Sequence, residues 1–329
     1  MSLSRRSMLI SGAGAAAGLV LGGQPAAGGG PDNGLEVLVP HNAAAILLAR
    51  LIDNGDLASV APGISLRTWR SPDELRAAIV AGRTRLFATP THIPATLFNL
   101  GVPVRLMSLL GMGHLSIVTG DTSINAIADL KGKRVLSFFK NDMPDLVFRS
   151  VLRMEGLDPD TDLILTYVQS PMEAAHMLAA GKAETAVLSE PPASGSILMA
   201  QNMGRTLRRA IDLQQIWLAH RGQRIPMVGL AVDASLPAEM PDLIAALRDG
   251  LPRAKTWAFE NRAEAGELAA RVLGMRPAAF IGALDHSRIE IVSARSAKSE
   301  LTNFYQTLRE LEPRALGGKL PTDDFYLDM

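Results

Sequence analysis

GKAETAVLSEPPAS, Gly181 to Ser194, carries a short apolar strand directly into a carboxylate and two prolines. The run ETAVLS is strand-like, and the proline pair forbids its simple continuation, so Glu190 falls at a strand exit. Upstream, SPMEAAHMLAAGK reads as a helix opened by Ser170 and Pro171 and closed near Gly181. The chain has the same series earlier. SPDELRAAIVAGRTRLFATPTHIPA, from Ser71, again gives Ser-Pro-x-Glu, then Ala-Gly, then an apolar strand ending in threonines and prolines, at an offset of 99 residues. One αβ unit is used twice.

Outward from these copies the pattern is regular. LEVLVP (Leu35 to Pro40), ISLRTW, RLFATP and VPVRLMSLL read as strands separated by helices, as do HLSIVTGD, KRVLSFF and LILTYV further on. Strands alternating with helices of this length predict an α/β chain with largely parallel sheets covered on both faces. The pattern occurs twice. From Leu236 it turns helical to Leu311, interrupted at Gly274 to Pro277. At 329 residues the chain exceeds one ordinary core, so two lobes are expected.

Lys plus Arg and Asp plus Glu balance at 33 each, so no net field draws the chain to nucleic acid or an anionic membrane. There is no cysteine, which excludes a lipid-modified anchor cysteine, thiolate metal sites, a cysteine nucleophile and disulfides. Residues 1–30 have the form of a twin-arginine signal peptide. Arg5-Arg6 precede the Ala/Gly-rich stretch ISGAGAAAGLVLGG, with small residues near Pro25 to Gly30. That run is too short and glycine-rich for a comfortable membrane span, which predicts an exported, periplasmic protein.

ADLKGKRV (Ala128 to Val135), a helix starting about seven residues later, and AAGKAETAVLSEPPAS together resemble the periplasmic solute-binding proteins of ABC importers. The similarity is to their nitrate, sulfonate, taurine and thiamine-precursor branch. Glu184 stands where that branch usually has aspartate. The resemblance implies a two-lobed periplasmic-binding-protein (type II) fold with two crossing hinge strands and C-terminal helices. Residues 31–117 and 229–329 would form lobe one, and 118–228 lobe two. The outward crossing would be Ile117 to Asp121 and the return Met227 to Asp233. It also implies a monomer that takes up a small organic solute by hinge closure and docks on an inner-membrane ABC permease with a separate ATPase. This chain has no phosphate loop of its own to be that motor.

Ligands of open α/β sheets sit beyond the carboxyl ends of strands. For lobe one this rule selects His41, Asn42, Thr89, Thr91, His92 and the Gly111 to His114 loop. For lobe two it selects Phe138 to Asp145, within which Phe139, Lys140, Asn141, Asp142 and Met143 are the candidate contacts, and Ser189 with Glu190. Asp142-Met143-Pro144-Asp145 is also a helix start with Asp142 as its cap; an acid there disfavours a naked anion, with Lys140 able to offset it. Glu190 reads equally as a solute contact or as a carboxylate paired to an Arg or Lys between lobes, and Asp142 as cap or contact. Trp217, His176 and His286 read as structural or surface residues.

His41, His92 and His114 could meet in a metal site, but they lack H-x-H or H-x-x-x-H spacing, and hydrogen bonding to solute is the preferred role. No cofactor and no metal are expected. The alternatives are a cofactor-biosynthetic enzyme on the same fold and a periplasmic binder of metal or metal chelate. The enzyme is disfavoured by the absence of a G-x-S-x-G elbow and of the Cys-rich iron motif of the pyrimidine synthases. The cap acids and Glu190 favour a solute with polar and apolar parts over bare nitrate or sulfate.

Overall fold

The computed structural model describes residues 34–328; the expected export signal, 1–30, lies outside them. The chain begins β1 (Glu36–Val39), α1 (Ala43–Asp53), β2 (Ser65–Thr68), α2 (Pro72–Val80), β3 (Leu86–Pro90), α3 (His92–Asn99) and β4 (Val104–Gly111). It then forms β5 (Leu115–Thr119), β6 (Arg134–Phe138), α4 (Met143–Met154), β7 (Ile164–Val168), α5 (Pro171–Ala179), β8 (Thr185–Ser189), α6 (Pro192–Asn202), β9 (Arg208–Asp212) and α7 (Leu213–Arg221). It ends with β10 (Val228–Asp233), α8 (Leu236–Glu239), α9 (Pro241–Glu260), α10 (Arg262–Leu273), α11 (Pro277–Leu284), β11 (Ile289–Ser293) and α12 (Lys298–Leu311).

The strands make two sheets, ordered β11-β4-β10-β3-β1-β2 and β7-β6-β8-β5-β9. The pairings β2-β1-β3 and β7-β6-β8 are parallel, and each sheet then takes in an antiparallel strand, β10 or β5. The second sheet repeats the first, with β9 matching β4. In both, the antiparallel strand is the first one formed after the chain changes sheets. This is the two-lobed periplasmic-binding-protein fold.

The sequence repeat is what builds the matching corners. Ser71 and Ser170 each cap a helix, their hydroxyls accepting from the Glu74 and Glu173 N–H at 3.2 Å in both cases. The same two glutamates reach back to accept from the Arg70 and Gln169 amides at 2.8 and 2.9 Å. Reciprocal capping of this kind satisfies amides that a helix start otherwise leaves unpaired. Strand β2 enters α2, and β7 enters α5, through the same local geometry.

The changes of sheet fall at Met112–His114 and at residues 222–227. The first lies upstream of the expected crossing and the second meets its expected crossing only at Met227: Ile117 to Thr119 belong to β5, paired wholly within the second sheet, and β10 is paired wholly within the first. Two strands escape a helix-or-loop reading of the sequence. β9 pairs at an edge of the second sheet, and β11 pairs on β4 inside the stretch expected to be helical. The closing helices also do more than cover the first sheet: α11 packs on α6, and α12 on α4. Trp217 of α7 is fully buried with its ring 5.4 Å from that of Phe304 in α12, in keeping with a structural role.

The core of the first sheet centres on α1, whose Ile46, Leu47, Leu48 and Leu51 are buried against α9 and α10. A Cβ at Gly250 of α9 would lie 2.9 Å from Leu51 Cδ2, so glycine permits this close helix approach. Among the described residues, no helix is long and apolar enough to cross a membrane.

Candidate functional site

A cavity of about 320 Å³ lies where the carboxyl ends of both sheets' parallel strands meet. The first sheet contributes His41 and Asn42 after β1, Thr68 at the end of β2 with Trp69 and Arg70 after it, and Pro90 at the end of β3. The second contributes Phe138 and Phe139 at the end of β6, Met143 and Pro144 at the start of α4, Ser170 to Met172 after β7, and Ser189 at the end of β8. The two passages between sheets, with the first residues of the strands they enter, form the third side: His114 and Leu115 at one, Met227 and Val228 at the other. This volume is within the lower range of pockets that enclose organic ligands.

Each lining position has a local cause. Asn42 caps α1, its Oδ1 accepting from the Ala44 N–H at 3.0 Å, which leaves the side-chain NH₂ free to donate. His41 Nε2 donates to Leu273 O at 2.6 Å, tying the first strand exit to α10. Phe139 and Asn141 stand at φ +49° and +63°, a left-handed turn that a bulky residue adopts only under constraint. Asp145 supplies that constraint by accepting from the Asn141 N–H at 2.8 Å, while the Tyr167 hydroxyl donates to its other oxygen at 2.8 Å. The turn presents Phe139 at the cavity, edge-on to Phe138 at 5.3 Å between ring centres. Trp69 Nε1 is spent on Ala88 O at 3.1 Å, so Trp69 offers the site an apolar surface.

Of the residues selected from the sequence, the structure brings His41, Asn42, His114, Phe139, Met143 and Ser189 to the cavity. The remaining seven are not on its wall. Thr89 is buried with its hydroxyl on Pro90 O at 3.3 Å. Thr91 binds the return passage, its hydroxyl donating to Pro226 O at 2.6 Å. Lys140 is exposed with Nζ 5.4 Å from the Tyr167 ring centre, and the Asn141 backbone is committed to Asp145. His92 and Asp142 face each other at 3.2 Å, and Asp142 Oδ2 lies 2.6 Å from Arg76 Nη2. Burial alone would raise the Asp142 carboxyl, but His92, Arg76 and the Met143 N–H outweigh it and hold the group well below the usual carboxylate range.

Glu190 is a correction in kind. Its Oε1 accepts from Arg209 Nε at 2.7 Å and its Oε2 from the Ser194 hydroxyl at 2.9 Å, so its partner lies in the same sheet and not across the cleft. Burial pushes this carboxyl up, with the Arg209 charge working against the rise. Glu190 touches only a small void of about 10 Å³ beside His114, about enough for one water. Among the described residues no group of three or more His, Asp or Glu is placed to hold a metal ion.

The wall residues that sequence reasoning missed include Thr68, Trp69 and Arg70 with Ser170, Pro171 and Met172. They sit at the exits of β2 and β7, so the strand-end rule that selected the others applies equally to them. Phe138 and Pro144 lay inside the selected segment without being singled out. Chemically the site is an apolar slot with dispersed polar points. Arg70 is the one charged side chain on its wall among the described residues.

Residues 119–274 match the model of the NMT1-like family. A search of curated proteins finds no match. Among solved structures the chain is similar to an ABC transporter protein from Parabacteroides distasonis, with a TM-score of 0.72 and 21% identity over 90% of this chain and 99% of that one. It is similar to the aliphatic sulphonate binding protein SsuA of Escherichia coli, with a TM-score of 0.68 and 18% identity over 88% and 95% of the two chains. The alkanesulfonate-binding SsuA from Xanthomonas axonopodis, bound to MOPS, gives a TM-score of 0.65 and 18% identity over 85% and 94%.

Proposed function

We propose that this chain, which has the fold of the ABC-type periplasmic binding proteins, is the solute-binding component of an importer and captures a small organic molecule between its lobes. The observation that carries the reading is the cavity itself, walled by strand exits of both sheets and by the two passages joining them. A molecule held there touches both lobes at once. Its contacts exist only when the lobes are together, so it shifts a hinge equilibrium toward closure. Moving a mainly open population to a mainly closed one takes ~5.5 kcal/mol of differential affinity, which an apolar body of moderate size and a few hydrogen bonds supply.

In this reading one lobe carries the first sheet with the C-terminal helices, and the other carries the second sheet. Residues 1–30 are a twin-arginine signal, the mature protein is a periplasmic monomer, and its partners are a permease and a separate ATPase. Its work is capture, not catalysis. The predominantly apolar wall supports an organic solute, heterocyclic or sulfonate-like, over a bare oxyanion such as nitrate.

The test is a thermal-shift screen on signal-free protein with sulfonates, amino-acid derivatives, heterocycles and inorganic oxyanions, followed by calorimetry on each hit. A stabilising compound whose affinity falls on Met172→Lys, which puts a charge into the slot, supports the reading. Compounds that stabilise the protein equally with and without that substitution would move the site elsewhere.

A further inference from the structure

His114 is a cavity residue that lies in the hinge itself. Its Nδ1 lies 3.0 Å from Met112 O, and a carbonyl only accepts, so the ring proton sits on Nδ1. Nε2 then carries a lone pair, and His114 is a residue of the cavity wall. The backbone on either side is pinned. The Met112 N–H donates to Arg288 O at 3.0 Å and the Gly113 N–H to Ile225 O at 2.8 Å, while Gly113 O accepts from Arg288 Nη1 at 2.6 Å. Burial lowers the imidazole to about 4, with the nearby Arg288 charge acting in the same direction, so the ring is neutral at physiological pH. At that pH it is an acceptor, oriented by the bond from Nδ1 to Met112 O.

We infer that His114 determines the specificity of the site, and that the solute is an organic molecule with an apolar body that presents an N–H or O–H to His114 Nε2. This rests on the cavity being the solute site. Nitrate and the sulfonate group are acceptors only at neutral pH, and against a fixed lone pair they leave His114 buried and unpaired. Such loss costs more than the bond itself contributes, because a desolvated acceptor has no water to return to. A site built around a hydrogen bond rejects the analogue that lacks the donor far more strongly than a slot rejects a changed methylene. The group that meets His114 is therefore an amide, lactam, ring N–H or hydroxyl.

Two measurements on the intact, signal-free protein test this. Nitrogen NMR of histidine-labelled protein at neutral pH reads the tautomer without any ligand, the His114 signals being assigned by their loss in His114→Asn. The proton is expected on Nδ1 with Nε2 bare, and a proton on Nε2, or an imidazolium, overturns the inference. Thermal shift and calorimetry then compare matched pairs: benzamide with N,N-dimethylbenzamide, caprolactam with N-methylcaprolactam, and indole with N-methylindole, alongside benzenesulfonate, butanesulfonate and nitrate. The donor-bearing member of a pair is expected to bind at least about tenfold more tightly. The preference should vanish in His114→Asn, whose side-chain NH₂ can keep the bond to Met112 while removing Nε2. Binding of the anions or methylated members as tight as that of the donors defeats the role of His114 and leaves solute capture standing. Silence from every probe counts against the cavity as a solute site, and the inference falls with it.

Discussion

Arg76 Nη2 and Asp142 Oδ2 stand 2.6 Å apart across the cleft, one from α2 beside the first sheet and the other from the cap of α4 beside the second. In the strand orders, β2 and β7 are the edges farthest from the passages between sheets, so the α2 rim is where opening about those passages separates the lobes most. A contact there acts at the longest lever arm of the hinge. In the hinged protein proposed above, Asp142 is thus cap and latch together, its second oxygen accepting from the Met143 N–H at 2.8 Å.

The two roles separate by substitution. Asparagine caps a helix about as well as aspartate but brings no charge to Arg76. Asp142→Asn is expected to keep the fold while weakening solute affinity about tenfold, a ~1.4 kcal/mol loss that reflects the partly exposed Arg76 end of the pair. Asp142→Ala should lose a further ~1 kcal/mol of stability through the missing cap. Calorimetry and thermal melts on both variants check this; an affinity in Asp142→Asn equal to that of the wild type would show that the latch is idle.

Acidification tests the same group. Because its carboxyl is held below the ordinary value in the folded protein, Asp142 contributes stability above the unfolded carboxylate pKa of about 3.9. That contribution is lost as the pH falls through the folded value. The melting temperature of the wild type should therefore converge on that of Asp142→Asn as the pH is lowered from about 5 toward 2. Parallel curves over that range would contradict the assignment.

Gln214 holds the two passages together. Its Oε1 accepts from the Gly113 N–H at 3.1 Å and from the Ile225 N–H at 3.0 Å. A Cβ on Gly113 would lie 2.4 Å from that oxygen, so Gly113→Ala must displace the clasp. Gln214→Ala leaves the Ile225 N–H without an acceptor, while the Gly113 N–H keeps Ile225 O at 2.8 Å, and should cost ~1–3 kcal/mol, read as a lower denaturant midpoint. A neutral result for both variants would mean that the passages are held by other contacts.

Glu190→Ala is expected to act on stability more than on binding. It strips the partner from Arg209, whose side chain is 23% exposed, and a loss of ~2–3 kcal/mol is expected for a pair buried at one end only. Solute affinity measured well below the melting temperature should stay within about twofold. A large loss of affinity without loss of stability would return Glu190 to the binding wall.

Much of this was legible in the chain. The 99-residue recurrence of Ser-Pro-x-Glu and its apolar strand marks the same corner in both sheets, because the capping serine and glutamate are local and leave a local signature. The strand-end rule found the exits of β1, β6 and β8 for the same reason. What escaped depends on distant partners. β9 begins with Arg208 and Arg209, charges that hide an edge strand until Glu190 and the Ile124 carbonyl take them up. β11 is a five-residue strand stabilised by pairing with β4, with no turn signal to set it apart from flanking helices. Asp142 reads as a cap from its neighbours, and nothing within the same turn announces Arg76, 66 positions away.

The absence of cysteine allows two unique spin labels to be placed on otherwise native protein, at Val80 on α2 and Ile164 on β7, both exposed. The distance distribution between them is the direct measure of lobe closure. It should be long or broad in ligand-free protein, broader still in Asp142→Asn, and short and narrow once a stabilising solute is bound. A single narrow distance, unchanged by solute and by loss of the latch, would contradict the hinged capture proposed for this chain.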